Sequence, residues 1–156
     1  MSDGQLVIFA YGNPSRGDDA LGPLLLEQIK RNDITLLTDF QLQVEHTTDL
    51  EQCQLALFVD ASVDCPHAFC FQQLHPQQDD SYTSHAMHPA ALLYAYQQIY
   101  QTTSPPAFLL RIQGESFELG DPLSTAAKQH LTAALQFLHT LLEQIDVSVW
   151  QTHLTR

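Results

Sequence analysis

Positively charged side chains are scarce in this sequence. Six Lys and Arg stand against 18 Asp and Glu, which gives a formal net charge of −12. Binding to nucleic-acid backbones or to anionic lipid surfaces depends on clustered cations, because these release the bound counterions. The charge balance therefore argues against nucleic acid and against a membrane surface as partners.

Cysteine is also rare. Cys53, Cys65 and Cys70 are an odd number and form no C-x-x-C pair, so the sequence predicts neither a disulfide framework nor a zinc ribbon. The segment from Asp64 to Cys70 mixes Cys and His as a zinc knuckle does, but its alternation equally fits a half-buried strand. We interpret the three cysteines as ordinary thiols.

Long apolar runs are missing as well, since none approaches the ~20 residues that a membrane span needs. The first residues, MSDGQLVIFAYG, lack the basic leader and the cleavage site of a secretory signal, and we expect a cytoplasmic protein. The length of 156 residues is that of one domain. We predict a single domain over residues 1–145 and a tail at 146–156, with Trp150 docking on the domain or on a partner.

Short apolar runs alternate with segments of helical spacing. The runs predict strands at 6–11, 34–37, 55–59, 68–74 and 107–112. Helical spacing predicts helices at 20–31, around 48–52, from Pro89 with a buried stripe that includes Ile99, and at 124–145. Because parallel strands need crossover connections, this order predicts an α/β fold: a doubly wound three-layer sandwich, with a mostly parallel sheet and helices on both faces.

Acidic residues follow two of these strands. Asp18 and Asp19 end the loop GNPSRGDD after the first strand, and Asp60 comes directly after LALFV. Ligands of doubly wound sheets bind beyond the carboxyl ends of the strands, and His85 lies in a loop that can reach the same edge. Two carboxylates and one imidazole suit a borderline divalent metal.

Each of these residues also has a purely structural interpretation. Asp18 or Asp19 would cap the following helix and complement its dipole. Asp60 would be a turn residue, and His85 would be one surface histidine among eight. The residues alone leave both interpretations open.

Several other chemistries lack their motifs. The loop GNPSRGDD matches neither G-x-x-x-x-G-K-[ST] nor G-x-G-x-x-G, and its two acids would repel a phosphate. No G-x-S-x-G is present, and no cysteine has a recognisable activating context. The sequence therefore disfavours a nucleotide site and a serine or cysteine nucleophile.

Four segments occur in an order and spacing that resemble the nickel-iron hydrogenase maturation proteases. They are GNPSRGDDALGPLL, LFVDAS, SHAMHPAALL and GESFELGDPLS. The resemblance runs from about Leu6 to about Leu142, nearly the whole domain. The GESFELG stretch resembles the branch that serves soluble, NAD-reducing or bidirectional hydrogenases.

This resemblance implies an α/β endopeptidase that removes the C-terminal extension of a hydrogenase large-subunit precursor after nickel insertion. It also implies a nickel-recognition site, which falls here on Asp19, Asp60 and His85. The nickel would be carried by the substrate, and no tightly bound cofactor is expected. His88 departs from the family pattern, which often has a small polar residue before the proline, and it would either cap the helix or offer a second imidazole.

The residues leave the mechanism and the class of activity open. One hypothesis makes Asp19 or Asp60 the general base on a water while the substrate's nickel polarises the scissile carbonyl or orients the tail. Glu45 and Glu115 are secondary acidic candidates with a structural role as the alternative. The rival functions are a non-catalytic nickel-dependent chaperone of the large subunit and a self-sufficient metallohydrolase acting on small peptides.

Overall fold

A five-stranded sheet forms the centre of the structure, a computed structural model that describes residues 6–78 and 87–155. The strands are β1 (Leu6–Tyr11), β2 (Thr35–Asp39), β3 (Leu55–Ser62), β4 (Phe69–Leu74) and β5 (Ala107–Gln113). Their order in the sheet is β2-β1-β3-β5-β4. All neighbours pair in parallel except β4, which runs antiparallel to β5. The prediction of a mostly parallel sheet is confirmed.

Helices cover both faces of this sheet, as the sequence predicted. They are α1 (Leu21–Glu27), α2 (Thr47–Leu50), α3 (Pro89–Tyr100), α4 (Thr125–Glu143) and α5 (Val147–Gln151). The core on one face joins the sheet to α1, α4 and α5, and the core on the other face joins it to α2 and α3. Within the described residues, no helix is long and apolar enough to cross a membrane.

Strand β1 shows why its sequence is apolar without alternation. All six of its residues are buried, and successive side chains point to opposite faces of the sheet. Ile8 and Ala10 therefore enter the core under α1 and α4, whereas Phe9 and Tyr11 enter the core under α3. A central strand with helices on both sides has no solvent-facing positions.

The strand order reverses direction between β1 and β3. From β1 the chain passes to β2 on one side, and β3 and β5 then build the sheet on the other side. The loops that leave the carboxyl ends of β1 and β3 consequently diverge. This is the place where doubly wound sheets bind their ligands.

The structure corrects three details of the sequence reading. Strand β3 continues to Ser62, so Asp60 lies inside the strand and not after it, because the ladder to β5 pairs Asp60 with Arg111. The first helix is shorter than predicted and ends at Glu27. Ile99 does not belong to the buried stripe of α3, since 53% of its surface is exposed.

The C-terminal segment packs on the domain. Trp150 in α5 is fully buried, and its indole Nε1 donates to the carbonyl oxygens of Leu141 and Gln144, both at 3.0 Å. Farther along, the amide of Phe71 in β4 donates to Thr155 Oγ1 at 2.8 Å, and the Thr155 amide donates to the Phe71 carbonyl at 2.9 Å. The segment thus covers the outer edge of the antiparallel strand, where unpaired backbone would otherwise be exposed.

Replacing Trp150 with Ala should strongly destabilise the domain. Removal of a buried Trp side chain costs about 3 to 5 kcal/mol of unfolding free energy, because the cavity only partly collapses. Urea denaturation followed by circular dichroism measures this loss. The exposed neighbour Ser148, changed to Ala, is the matched control; equal midpoints for the two variants would show that the segment is only loosely attached.

Candidate active site at the carboxyl edge of the sheet

Asp19 is held against the end of β1 by the backbone of its own loop. Gly12 has a φ of +150°, and a Cβ at that position would clash with the carbonyl oxygen of Asp19. The Asp19 carboxylate in turn accepts a hydrogen bond from the Asn13 amide at 2.6 Å. Only glycine permits this close approach, so the sequence GN at the strand end positions the acid.

Asp60 lies beside Asp19 on the other side of the switch point. It is half-buried on the sheet face that α3 covers. Burial raises the pKa of Asp60 to about 7, although a hydrogen bond from the Ala61 backbone amide acts to lower it. The Asp19 carboxylate adds to the increase, and the Arg111 guanidinium opposes it. The structure therefore brings the two predicted acids close enough to repel each other electrostatically.

Arg111 is a feature that sequence reasoning missed. It is the direct partner of Asp60 across the β3–β5 ladder. Within the described residues its buried Nε has no hydrogen-bond partner. The available signal was a single cation among apolar residues in the strand sequence AFLLRIQ, in which only the last residue, Gln113, is also polar, because a buried charge needs a compensating partner.

Tyr11, on β1, lies close enough to Asp60 for the carboxylate to affect it electrostatically. It is the last residue of the strand and is buried. Burial and, to a smaller extent, the Asp60 carboxylate raise its pKa well above the usual value. The phenol is therefore neutral and contributes no further negative charge beside the acids.

Asp18 has a different task from its neighbour. Its side chain is fully buried and accepts four hydrogen bonds, from the amides of Glu115, Ser116 and Ser124 and from the Ser124 hydroxyl, at 2.7 to 3.1 Å. Burial alone would raise the pKa of Asp18, but these donors outweigh it and leave the pKa below its usual value. Asp18 fastens the loop after β5 onto the loop after β1.

The capping interpretation of these two acids is wrong. The helical segments that begin at Gly17 and Leu21 have no side-chain hydrogen bond at their caps. Both carboxylates instead bond to loop amides, as described above. The amides that bind Asp18 lie about 100 residues later in the chain, and the amide that binds Asp19 lies six residues earlier. The helix pattern alone therefore does not reveal them.

The other candidate residues of the sequence are two histidines and two glutamates. His85 lies outside the described residues, so its position relative to the acids stays a prediction. His88 caps α3, where its Nδ1 accepts from the Ala90 amide at 3.1 Å. Glu45 and Glu115 have exposed side chains, and Glu115 contributes its backbone amide to Asp18.

The described part of the chain contains no group of three His, Cys, Asp or Glu side chains that could hold a metal ion. The segment of Cys65 and Cys70 does not form one either, because both are buried free thiols whereas His67 is exposed. Asp19 and Asp60 amount to a pair of carboxylates at the switch point. Carboxylates are suitable ligands for a divalent cation, but two of them alone do not make a site of three protein ligands.

No family model matches this chain, and no curated protein matches its sequence. Solved structures do match it. A NiFe hydrogenase maturation protease HycI from Thermococcus kodakarensis aligns with a TM-score of 0.66 and 20% identity over 91% of this chain and 94% of that one. The hydrogenase maturating endopeptidase HybD from E. coli gives a TM-score of 0.66 and 19% identity over 89% and 93%.

A hydrogenase 2 maturation peptidase from a Thaumarchaeota archaeon aligns with a TM-score of 0.63 and 19% identity over 89% of this chain and 98% of that one. These structures are covered almost completely, so the likeness extends over the whole domain. At such identities it establishes the fold. The chain has the α/β fold found in hydrogenase maturation proteases.

Replacing Asp18 with Asn should loosen the loop after β5. Asn has one amide nitrogen in place of a carboxylate oxygen, so it cannot accept all four bonds, and we expect a loss of about 3 kcal/mol in unfolding free energy. Hydrogen exchange of the Glu115 and Ser116 amides should accelerate in the same variant. The exposed Asp64, changed to Asn, is the control. Unchanged protection of both amides in the Asp18 variant would refute the fastening role.

Proposed function

We propose that this chain is an endopeptidase that removes the C-terminal extension of a NiFe hydrogenase large-subunit precursor after nickel insertion. One observation carries the proposal: Asp19 and Asp60 meet at the switch point of a fold shared with hydrogenase maturation proteases. The motif segments of the sequence resemble the same family. The GESFELG loop supports a substrate from the branch of soluble, NAD-reducing or bidirectional hydrogenases. We further propose that processing takes place in the cytoplasm.

Nickel is the substrate's metal in this proposal, and the chain recognises it. Two half-buried carboxylates that repel each other gain stability when a divalent cation lies between them. We assign Asp19 and Asp60 as two ligands and His85 as the third. A set of two carboxylates and one imidazole, with no thiolate, binds nickel weakly and leaves coordination positions for ligands that belong to the precursor. The chain therefore has no tightly bound cofactor of its own.

The same carboxylates have the chemistry needed for peptide hydrolysis. One of them accepts a proton from the attacking water, as a general base, and this proton then passes to the amine that leaves when the scissile C–N bond breaks. Arg111, the ladder partner of Asp60, offsets part of the negative charge that accumulates at the pair. Nickel seated in the precursor supplies a Lewis acid next to this pair. The proposed reaction is aspartate-dependent hydrolysis that proceeds only after nickel has been inserted into the precursor.

The mass of a nickel-loaded precursor before and after incubation with the protein tests this function. The wild type should release a C-terminal peptide, and Asp19→Asn and Asp60→Asn should each slow the release at least about 100-fold, because a general base contributes about that much. His85→Ala should also slow it. Asp33→Asn is the matched control, since this exposed acid forms an ion pair with Arg31 far from the site.

Two results would contradict the assignment. Full processing by both Asn variants would remove the acids from the mechanism. A stable complex with the wild type and an unchanged precursor mass would instead support the non-catalytic chaperone. Activity on unrelated peptides with tightly retained metal would favour the self-sufficient metallohydrolase.

A further inference from the structure

Large apolar side chains are exposed at the edge of the sheet that carries the acid pair. Six large hydrophobic residues of the described chain are exposed. Four of them follow the carboxyl ends of parallel strands: Phe40 and, in a short 3-10 helix, Val44 after β2, Val63 after β3 and Leu119 after β5. We call these four residues the apolar rim. The other two, Ile99 and Ile145, lie at the ends of α3 and α4, toward the opposite edge.

The apolar rim indicates a binding surface because its residues are gathered at one edge of the sheet. Single exposed hydrophobic residues are common and need no explanation. Here, however, Phe40 is 64% exposed, Val63 61% and Leu119 68%, and all are in loops, which ordinarily carry polar residues. They flank the acid pair on both sides along the strand order. Exposed apolar side chains that collect at one edge, with polar residues around them, are typical of a surface that becomes buried on binding.

Two of the segments that carry the apolar rim are held in place by hydrogen bonds. Leu119 is in the loop fastened by Asp18, and the next residue, Gly120, donates its amide to the Ser15 carbonyl at 2.7 Å. On the other side, Gln43 and His46 form a capping box around Val44. A surface ordered before binding loses little conformational entropy when the partner arrives.

The charge around the apolar rim defines the chemistry of its partner. Arg16 is the only cation in the described loops at this edge. Acidic residues at the same edge are Asp39, which is the last residue of β2, and Glu45, Asp64, Glu115, Glu118 and Asp121. Negative potential attracts a positively charged partner and repels an acidic one. A second copy of this chain, at a net charge of −12, is a poor occupant.

The width of the surface sets the size of the bound segment. From β2 to β5 there are three interstrand spacings, or about 14 Å at about 4.8 Å each. An extended chain covers that distance with about four residues. A strand-like segment of this length therefore spans the sheet edge from β2 to β5, and the strands in between are β1, which leads to Asp19, and β3, which contains Asp60.

We propose that the apolar rim is the docking surface for the C-terminal region of the precursor, which binds as an extended segment that combines apolar side chains with Lys or Arg. This inference rests on the proposed function and adds the recognition chemistry. The apolar side chains of the segment cover the rim, its cations face the surrounding acids, and the scissile bond lies over the acid pair. Specificity for the precursor comes from this surface together with the nickel.

Steady-state cleavage of the nickel-loaded precursor by surface variants tests the proposal. The double variant Phe40→Ser/Leu119→Ser should raise KM at least about tenfold, with kcat within about twofold, since burying one such side chain is worth about that much in affinity. The matched control is Ile99→Ser/Ile145→Ser, which removes the two exposed residues of the opposite edge and should leave KM unchanged. Thermal melting verifies that both variants are folded.

The outcomes separate this inference from the proposed function. If the wild type cleaves the precursor and the rim variant has an unchanged KM, docking at the rim is refuted while the function stands. If the wild type binds the precursor without cleaving it, and only the rim variant loses binding, the protease assignment fails and the docking surface stands. A wild-type dimer that the rim variant converts to a monomer, with KM unchanged, would identify a second copy as the occupant and overturn the proposal.

Discussion

The Asp18 carboxylate is the constraint on which the rest of the site depends. It accepts four hydrogen bonds from the segment between Glu115 and Ser124, and thereby joins the loop after β5 to the loop after β1. Charge-assisted bonds of this kind are roughly twice as strong as neutral ones. The loops come so close that a Cβ on Gly17, at a φ of +57°, would clash with the Ser116 carbonyl oxygen. This fastening fixes the backbone from which Asp19 projects.

The two adjacent acids therefore divide structural and chemical work. The Asp18 carboxylate already accepts four hydrogen bonds from the protein, and the residue is fully buried. Asp19 makes one bond to the Asn13 amide and stays half-buried beside Asp60. Carboxylates with remaining acceptor capacity at a ligand-binding edge are available for a cation or a proton, whereas a saturated one is not.

The sequence was sufficient wherever the information is local or periodic. The bounds of β1 follow from an apolar run that ends at Gly12, and the start of α3 follows from Pro89 at a first helical position; both are confirmed. The α/β order likewise follows from the alternation of the two patterns. Proximity of Asp19 and Asp60 was inferred from the rule that ligand sites lie at carboxyl ends of strands, and the structure has Asp19 against the end of β1 and Asp60 near the end of the neighbouring strand β3.

What the sequence did not reveal depends on contacts distant along the chain. Asp60 is inside β3 because Arg111 pairs with it from β5. The sequence of one strand does not show how far the neighbouring strand extends. The partners of Asp18 lie about 100 residues later, at separations of 97 to 106, so a helix cap was the only local explanation. Ile99 has helical spacing to the core but lies where α3 ends, beyond the face that α3 buries.

The most direct measurement is anomalous scattering at the nickel edge from crystals of the protein soaked in nickel. The predicted result is a peak about 2.1 Å from carboxylate oxygens of both Asp19 and Asp60, a normal metal–oxygen distance, with an imidazole nitrogen of His85 as the third ligand. A peak at Cys65 or His67 with none at the two aspartates would contradict the assignment of the acid pair as the nickel-reading site.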